Sequence, residues 1–512
     1  MWLAAQPQSD PLCMLPGLLA RIEALGLLDV PPHERLKTLE VLRKTVFAVG
    51  AACQRQCEDD PLPLGTGKQA TLSMTRRLWR GYALGYRQCL QACLDDAASL
   101  SREAAARAAH RTAICLRAEQ LVGYAGGFAP ALGFWKSFHA LFSAAERLGC
   151  LTETQEDRLF GETRTSSVFG QYAMALMLHL ARPFSLSSGQ LAAVTRWLAR
   201  WRERVQIDEQ APEARHDPIP LDLAADRPVR EGEGKARQPR WLSLGSVQRK
   251  IRQRLDALAA GESPESLRLG DKLSAENCMT LLNRLADNLR RPPQALPADA
   301  ENLPSLSVGA GLAFIHCLLG GKGFENALRA ASAGDDDLFT RNRQAVYGHV
   351  APEAPHAEAE PEHWRLARRE SDELVLLRLP GEGKSRLVLH GLLAVGQQEE
   401  RKDYLLAVIT ALWQNDDGIL FCSADPLPGR VTPRVAEIRN WVTGEVARHP
   451  AFQLGAAGDR AQDVMLLPAG VLVRASGIRF FDDGGELQFE LRVSDCLERG
   501  DEVEFWRVPS ND

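Results

Sequence analysis

A chain of 512 residues, 45% hydrophobic and 25% charged, has material for roughly two to four globular domains and excludes wholesale disorder. Its formal net charge of −5 excludes the broad basic field of a general nucleic-acid binder and leaves only local basic clusters. No apolar run reaches the roughly 18 residues of a membrane span, Asp10 interrupts the apolar start, and the 11 cysteines are an odd count; a cytoplasmic protein with reduced thiols, no nucleic-acid partner and no membrane insertion is expected.

Residues 1–207 read as a helical domain, with apolar residues recurring every three and four positions. Leu36, Leu39, Leu42 and Val46 form one stripe; Leu191, Val194, Leu198, Trp201 and Val205 form another. Between them a helix over Phe134 to Leu148 carries Phe134, Trp135, Phe138 and Phe142. Prolines 31, 32, 61, 63, 130 and 183 punctuate the series, and Ser187 or Ser188 is the expected N-cap of the helix bearing Trp197. No strict repeat of about 34 residues is present, so a bundle and an irregular solenoid both stay open.

Residues 208–240 are polar and rich in turn formers, which predicts a linker or long loop with a short strand at Ile219 to Leu223. A second helical region, 241–330, holds helices at Ser246 to Ala259 and Ala275 to Leu289, the latter burying Leu281, Leu282 and Leu285. A brief strand at Leu306 to Val308 and an apolar, glycine-closed helix within 309–320 follow. Residues 330–363, with Asp335-Asp336-Asp337, are polar and alanine-rich, and a flexible passage is expected there.

From Trp364 to Pro426, short runs of Leu, Val and Ile alternate with turn residues, the pattern of a small antiparallel barrel; the barrel is assigned to 331–434. The remainder, 435–512, is expected to begin with a helix over Arg434 to Arg448, on Val435, Ile438, Trp441, Val442 and Val446, and to continue as strands with a hairpin turn at Asp483-Gly484-Gly485. The fold class is therefore α+β by segregation: a multi-helix region, a small barrel and a second β-rich segment.

The chemistry-bearing motifs mostly exclude. Gly65-Thr66-Gly67-Lys68 has Leu62 and Gln69 where a phosphate loop needs Gly and Ser or Thr, so a turn is expected. Gly309-Ala310-Gly311 is followed by Phe314 instead of the third glycine of a dinucleotide site. Cys53/Cys57 and Cys89/Cys93 stand at helical i, i+4 spacing, which suits packing better than the tight turns of structural zinc, and no metal is expected. His316, between Ile315 and Cys317, is expected to be buried and hydrogen-bonded. Neither a His-Glu-x-x-His run nor a Gly-x-Ser-x-Gly elbow occurs, so neither an enzyme nor a cofactor is expected. Arginine is the remaining signal: Arg341 and Arg343 precede Val346-Tyr347, and Arg365, Arg368 and Arg369 flank the first barrel strand. Guanidinium forks bind phosphate and stack on purines; the alternative is a solvated edge balanced by Glu362 and Glu370.

The order Ser307-Val308-Gly309, Leu312 to Leu319, Trp364, Gly391 to Gly396, Leu406 to Trp413 and Gly418-Ile419 resembles a PilZ domain, the small barrel through which many bacterial proteins sense cyclic di-GMP. The helices of the first 330 residues followed by two β-rich segments are similar to a proteobacterial family of long proteins with a C-terminal PilZ-like domain. The resemblance implies a non-enzymatic signalling or adaptor protein with protein partners and cyclic di-GMP as ligand, held by Arg341, Arg343, Arg369 and Ser371. The family's motifs are incomplete here. Arg341 and Arg343 lack the Arg-x-x-x-Arg spacing, which Arg365 and Arg369 have but beside a strand; in the second element only Ser371 stands, with Arg369 in the acid or amide place and Leu374 in the glycine's. The other function class is a helical scaffold whose β domains only dock proteins, through sheet edges or exposed Trp413 and Trp506.

Overall fold

The computed structural model describes residues 11–160, 165–212, 218–230, 235–293, 302–320, 360–370, 372–397, 404–440, 446–457, 463–469, 475–481, 486–491, 496–499 and 503–507. The chain divides into two units, residues 1–60 with 64–295 and residues 61–63 with 296–512.

In the first unit, helices α1 (Leu15–Leu27), α2 (Pro32–Cys57), α3 (Thr66–Asp95) and α4 (Arg102–Ala125) lead to α5 (Phe134–Arg147) and the short pair β1 (Gln155–Glu156) and β2 (Thr165–Ser166). Helices α6 (Val168–Leu180) and α7 (Ser188–Trp201) follow. Helix α4 is central, packed against α2, α3, α5 and α6. Its alanines let neighbours approach from all sides, and Ala108, Ala109 and Ala113 have no exposed surface. Close approach also explains Gly50 of α2, where a Cβ would stand 2.4 Å from the Trp79 ring. Ser187 caps α7 and, with Gln190, forms the reciprocal capping box.

Helix α4 also buries charge. Asp157 accepts hydrogen bonds from Arg43 of α2 and, at 3.1 Å, from Arg111, while His110 meets Ser166 of β2 at 2.7 Å. Asp157 thus neutralises two buried guanidinium groups and ties α2, α4 and the β1–β2 pair together.

The described residues of the segment after α7 contain three strands. Strands β3 (Gln206–Asp208), β4 (Ile219–Asp222) and β5 (Pro239–Ser243) form an antiparallel sheet in the order β3-β5-β4, with Ile219 and Leu221 buried. Helices α8 (Gly245–Ala259) and α9 (Ala275–Asn288) pack together; Val247, Ile251 and Leu258 of the former and Leu281, Leu282 and Leu285 of the latter are buried.

The second unit opens with β6 (Ser305–Ala310) and α10 (Leu312–Leu318), then β7 (Glu362–Arg369), β8 (Leu374–Arg378), β9 (Leu392–Gln397), β10 (Leu405–Gln414) and β11 (Leu420–Pro426). These six strands close as an antiparallel barrel in the order β10-β11-β8-β7-β6-β9. Every residue of β8 is buried, which accounts for its unbroken Leu-Val-Leu-Leu run. The short strand expected at Leu306–Val308 is thus a full barrel stave.

Beyond the barrel, β12 (Val431–Asn440), β13 (Val446–Leu454), β14 (Val464–Pro468), β15 (Ala475–Phe481), β16 (Leu487–Leu491), β17 (Cys496–Arg499) and β18 (Val503–Arg507) form one sheet, ordered β16-β15-β12-β13-β14-β18-β17. Phe452, Leu454, Val464 and Leu466 of this sheet share a core with Ile315 of α10 and with Leu392 and Leu406 of the barrel. The architecture is α+β as expected.

Three expectations are corrected. The described parts of Arg434 to Arg448 are strand rather than helix: β12 pairs with β13 and on its other side with β15, in register Val435↔Pro450 and Val435↔Phe481, while Trp441 and Val442 lie outside the described residues. Ala436 and Ile438 are buried on one face of the strand, and Val435, on the other face, is buried as well; two buried faces thus produce the three-residue spacing of Val435 and Ile438 that a helix would also give. Trp506 is fully buried among Met465, Phe480 and Ile478, whereas Trp413 is half-buried and stacked on Phe421 with ring centres 5.3 Å apart. Gly65 to Lys68 is the N-cap position and first turn of α3, not a free turn, and Lys68 Nζ lies 2.5 Å from Asp60. The passage expected at 330–363, up to residue 359, and the hairpin turn Asp483–Gly485 lie outside the described residues. Among the described residues, no helix is long and apolar enough to cross a membrane.

Candidate anion-binding cleft

The first unit contains a cavity of about 460 Å³ lined by three segments and by Thr165 of β2. One wall is the end of α7 and the tight turn after it, Arg202–Arg204. Here Trp197 and Trp201 turn inward and are buried, while Arg200 and Arg204 are exposed. The facing wall is α8. Its buried stripe faces the core; Arg249, Gln253 and Ser246 lie on the side away from that stripe, and Lys250 and Arg254, partly buried, flank it. The third segment is the loop Leu267–Leu269.

Backbone contacts hold these pieces. Trp197 Nε1 donates to the Leu269 carbonyl at 2.8 Å, and Arg200 donates to the Arg268 carbonyl. Arg268 itself adopts a left-handed backbone, φ +58°, which a non-glycine residue holds at a cost of order 1 kcal/mol. Arg202 is buried, donates to the Thr165 carbonyl at 2.5 Å and meets Glu203 at 3.1 Å. It leaves no room opposite: a Cβ on Gly170 would stand 2.9 Å from Arg202 Cδ.

The electrostatics are one-sided. Arg204, Lys250, Arg254 and Arg268 line the cavity, and none has a carboxylate partner among the described residues; the one acidic residue of the lining, Glu203, is engaged by Arg202. Desolvation, with repulsion from Arg254 and then Arg204, lowers the Lys250 pKa below that of an ordinary lysine. An anion entering here would relieve that repulsion. A smaller hollow of about 250 Å³ adjoins, sharing Arg204 and Lys250 and adding Ser246, Arg249 and Gln253.

Arginines thus gather in this cleft, at positions other than Arg341, Arg343 and Arg369. The overlooked signal is local: on α8 neither Arg249 nor Lys250 has an acid four residues on, where Gln253 and Arg254 stand instead. Of the residues singled out, Arg341, Arg343 and Ser371 lie outside the described residues, and Arg369 is exposed at the end of β7. Its neighbours are neutralised. Arg365 meets Glu382 at 2.9 Å, Arg368 meets Glu373 at 2.9 Å and Glu370 at 3.2 Å, and Arg378 meets Glu362 at 2.6 Å. The two cysteine pairs are buried in α2 and α3, and burial pushes the Cys57 and Cys89 thiols up to about 11. His316 is fully buried, its Nε2 3.1 Å from the Arg434 carbonyl.

A helical unit with unneutralised cations around a cavity has the chemistry of an anion-binding module. Residues 1–213 match a family model described as "Cyclic-di-GMP receptor FimW, N-terminal domain". The matched stretch includes the Thr165 and Trp197–Arg204 side of the cleft and ends before α8. Neither a curated protein nor a solved structure matches the chain.

Proposed function

We propose that this chain is a non-enzymatic cyclic di-GMP receptor of the cytoplasm, which receives the nucleotide in the cationic cleft of its helical unit and signals through protein partners. The carrying observation is the set Arg204, Lys250, Arg254 and Arg268 around one cavity without carboxylate partners among the described residues. Two phosphodiester groups supply the complementary charge, and the family match of residues 1–213 supports the choice of nucleotide. Titration calorimetry of the full chain with cyclic di-GMP tests the proposal. Binding is expected, and Arg204→Glu with Lys250→Glu should abolish it; absence of heat with the unaltered chain at high concentration would end it.

A second reading places the nucleotide at the barrel, on Arg341, Arg343, Arg369 and Ser371, as the PilZ resemblance implies. What favours it is the closed six-stranded barrel with Arg369 exposed at a strand end. Loss of binding in Arg369→Ala, with the double cleft variant unaffected, would select it.

A further inference from the structure

The cleft has two lobes of different character, and this difference bears on which nucleotide it takes. The larger lobe is walled by cations and by the buried sides of Trp197 and Trp201. The smaller one is lined along a single face of α8, from Ser246 to Gln253, roughly 10 Å at 1.5 Å per residue. In it Arg249 is exposed and donates to Ser246 Oγ at 2.9 Å, which orients the guanidinium. Gln253, one helical turn further along, offers an amide on the same face. A guanidinium fork donates in pairs, and the base edge that accepts such a pair is guanine's, through O6 and N7; adenine presents a donor at the O6 position and is repelled there.

We infer that Arg249 and Gln253 form a base-reading subsite in the smaller lobe, which selects guanine over adenine while the larger lobe holds a phosphate. Arg204 and Lys250, common to both lobes, sit where the ligand passes from phosphate to base. The inference rests on the cleft being the nucleotide site and adds its specificity. Arg249 and Gln253 are exposed, and no ion pair or hydrogen bond other than that to Ser246 engages their side chains among the described residues, so replacing them leaves the core of α8 untouched.

The test is a pair of calorimetric titrations of the full chain, with cyclic di-GMP and with cyclic di-AMP. The unaltered protein is expected to prefer the guanine ligand by about tenfold or more. Arg249→Ala and Gln253→Ala are each expected to reduce that preference, chiefly by weakening cyclic di-GMP, whereas Arg254→Ala should weaken both ligands by the same factor and leave the ratio intact. If Arg249→Ala lowers both affinities equally, or changes neither, the subsite does not exist although the cleft remains the nucleotide site. If cyclic di-GMP binds and the double cleft variant binds it as well as the unaltered chain does, or if it does not bind at all, the cleft reading falls and the subsite falls with it.

Discussion

In the first unit Arg204, Lys250, Arg254 and Arg268 surround a cavity with no carboxylate partner among the described residues, whereas in the barrel Arg365, Arg368 and Arg378 each hold a glutamate. The same chemical group does two jobs. Arg378 is buried, packs over the Trp364 ring and shares Glu362 with the Ser385 and Lys384 amides and Trp364 Nε1, so it holds the β7–β8 side of the barrel together. Among the described residues Arg204, Lys250, Arg254 and Arg268 have no carboxylate to pair with, and Arg254 and Arg204 repel Lys250. Availability to a ligand follows from that difference more than from the number of arginines in a stretch.

The comparison breaks most visibly on stability. Glu362→Ala leaves Arg378 buried without its counter-charge and is expected to destabilise the second unit by about 3–5 kcal/mol in chemical denaturation. Arg254→Ala should change stability by no more than about 0.5 kcal/mol, because it removes a repelled charge. Burial alone would raise the Glu362 pKa, but Arg378 and the Ser385 and Trp364 hydrogen bonds outweigh it and hold it below the usual glutamate value. Its stabilisation is therefore complete above the unfolded-state pKa and disappears as pH falls through the lower folded value; Glu362→Gln should flatten that acid limb.

Ligand affinity sharpens the comparison next. Lys250→Glu is expected to weaken cyclic di-GMP by about ten- to a hundredfold, roughly 1.4–2.8 kcal/mol, in calorimetry. Arg365→Ala should leave the affinity unchanged, and an equal loss in both would erase the distinction between the two regions.

A smaller effect is expected with pH. Desolvation and repulsion by Arg254 and Arg204 lower the Lys250 pKa, so its charge is lost at a lower pH than an ordinary lysine's, although a bound anion opposes that loss. Affinity should decline as pH rises toward the lysine range, and Lys250→Arg, which stays protonated, should move the decline upward. The smallest expectation concerns the barrel surface. Arg365→Ala removes a partly exposed pair with Glu382 and should cost no more than about 1 kcal/mol in stability.

Much of the architecture is legible in the sequence because its causes are local. The stripe Leu191, Val194, Leu198, Trp201 and Val205 is buried as its spacing requires, and Ser187 caps α7 because a side-chain oxygen can meet the amide of Gln190 three residues on. The segment at Arg434 reads as a helix because Val435 and Ile438, both buried, stand three residues apart; in the strand they face opposite sides, and the pairing with β13 and β15 on either edge makes the choice. The buried pairing of Asp157 with Arg43 and Arg111 was invisible for a related reason: the partners are 114 and 46 residues apart.

The sequence by itself therefore determined the helical first part and the strands of the barrel, the Ser187 cap and the buried stripes of α7 and α9, since periodicity and capping act within a few residues. Only the tertiary structure decided which cations are spent on glutamates and which are left around a cavity. Arg204, Lys250 and Arg268 meet there because the α7 turn, α8 and the following loop are packed together, and an ion pair or its absence depends on distance in space rather than along the chain.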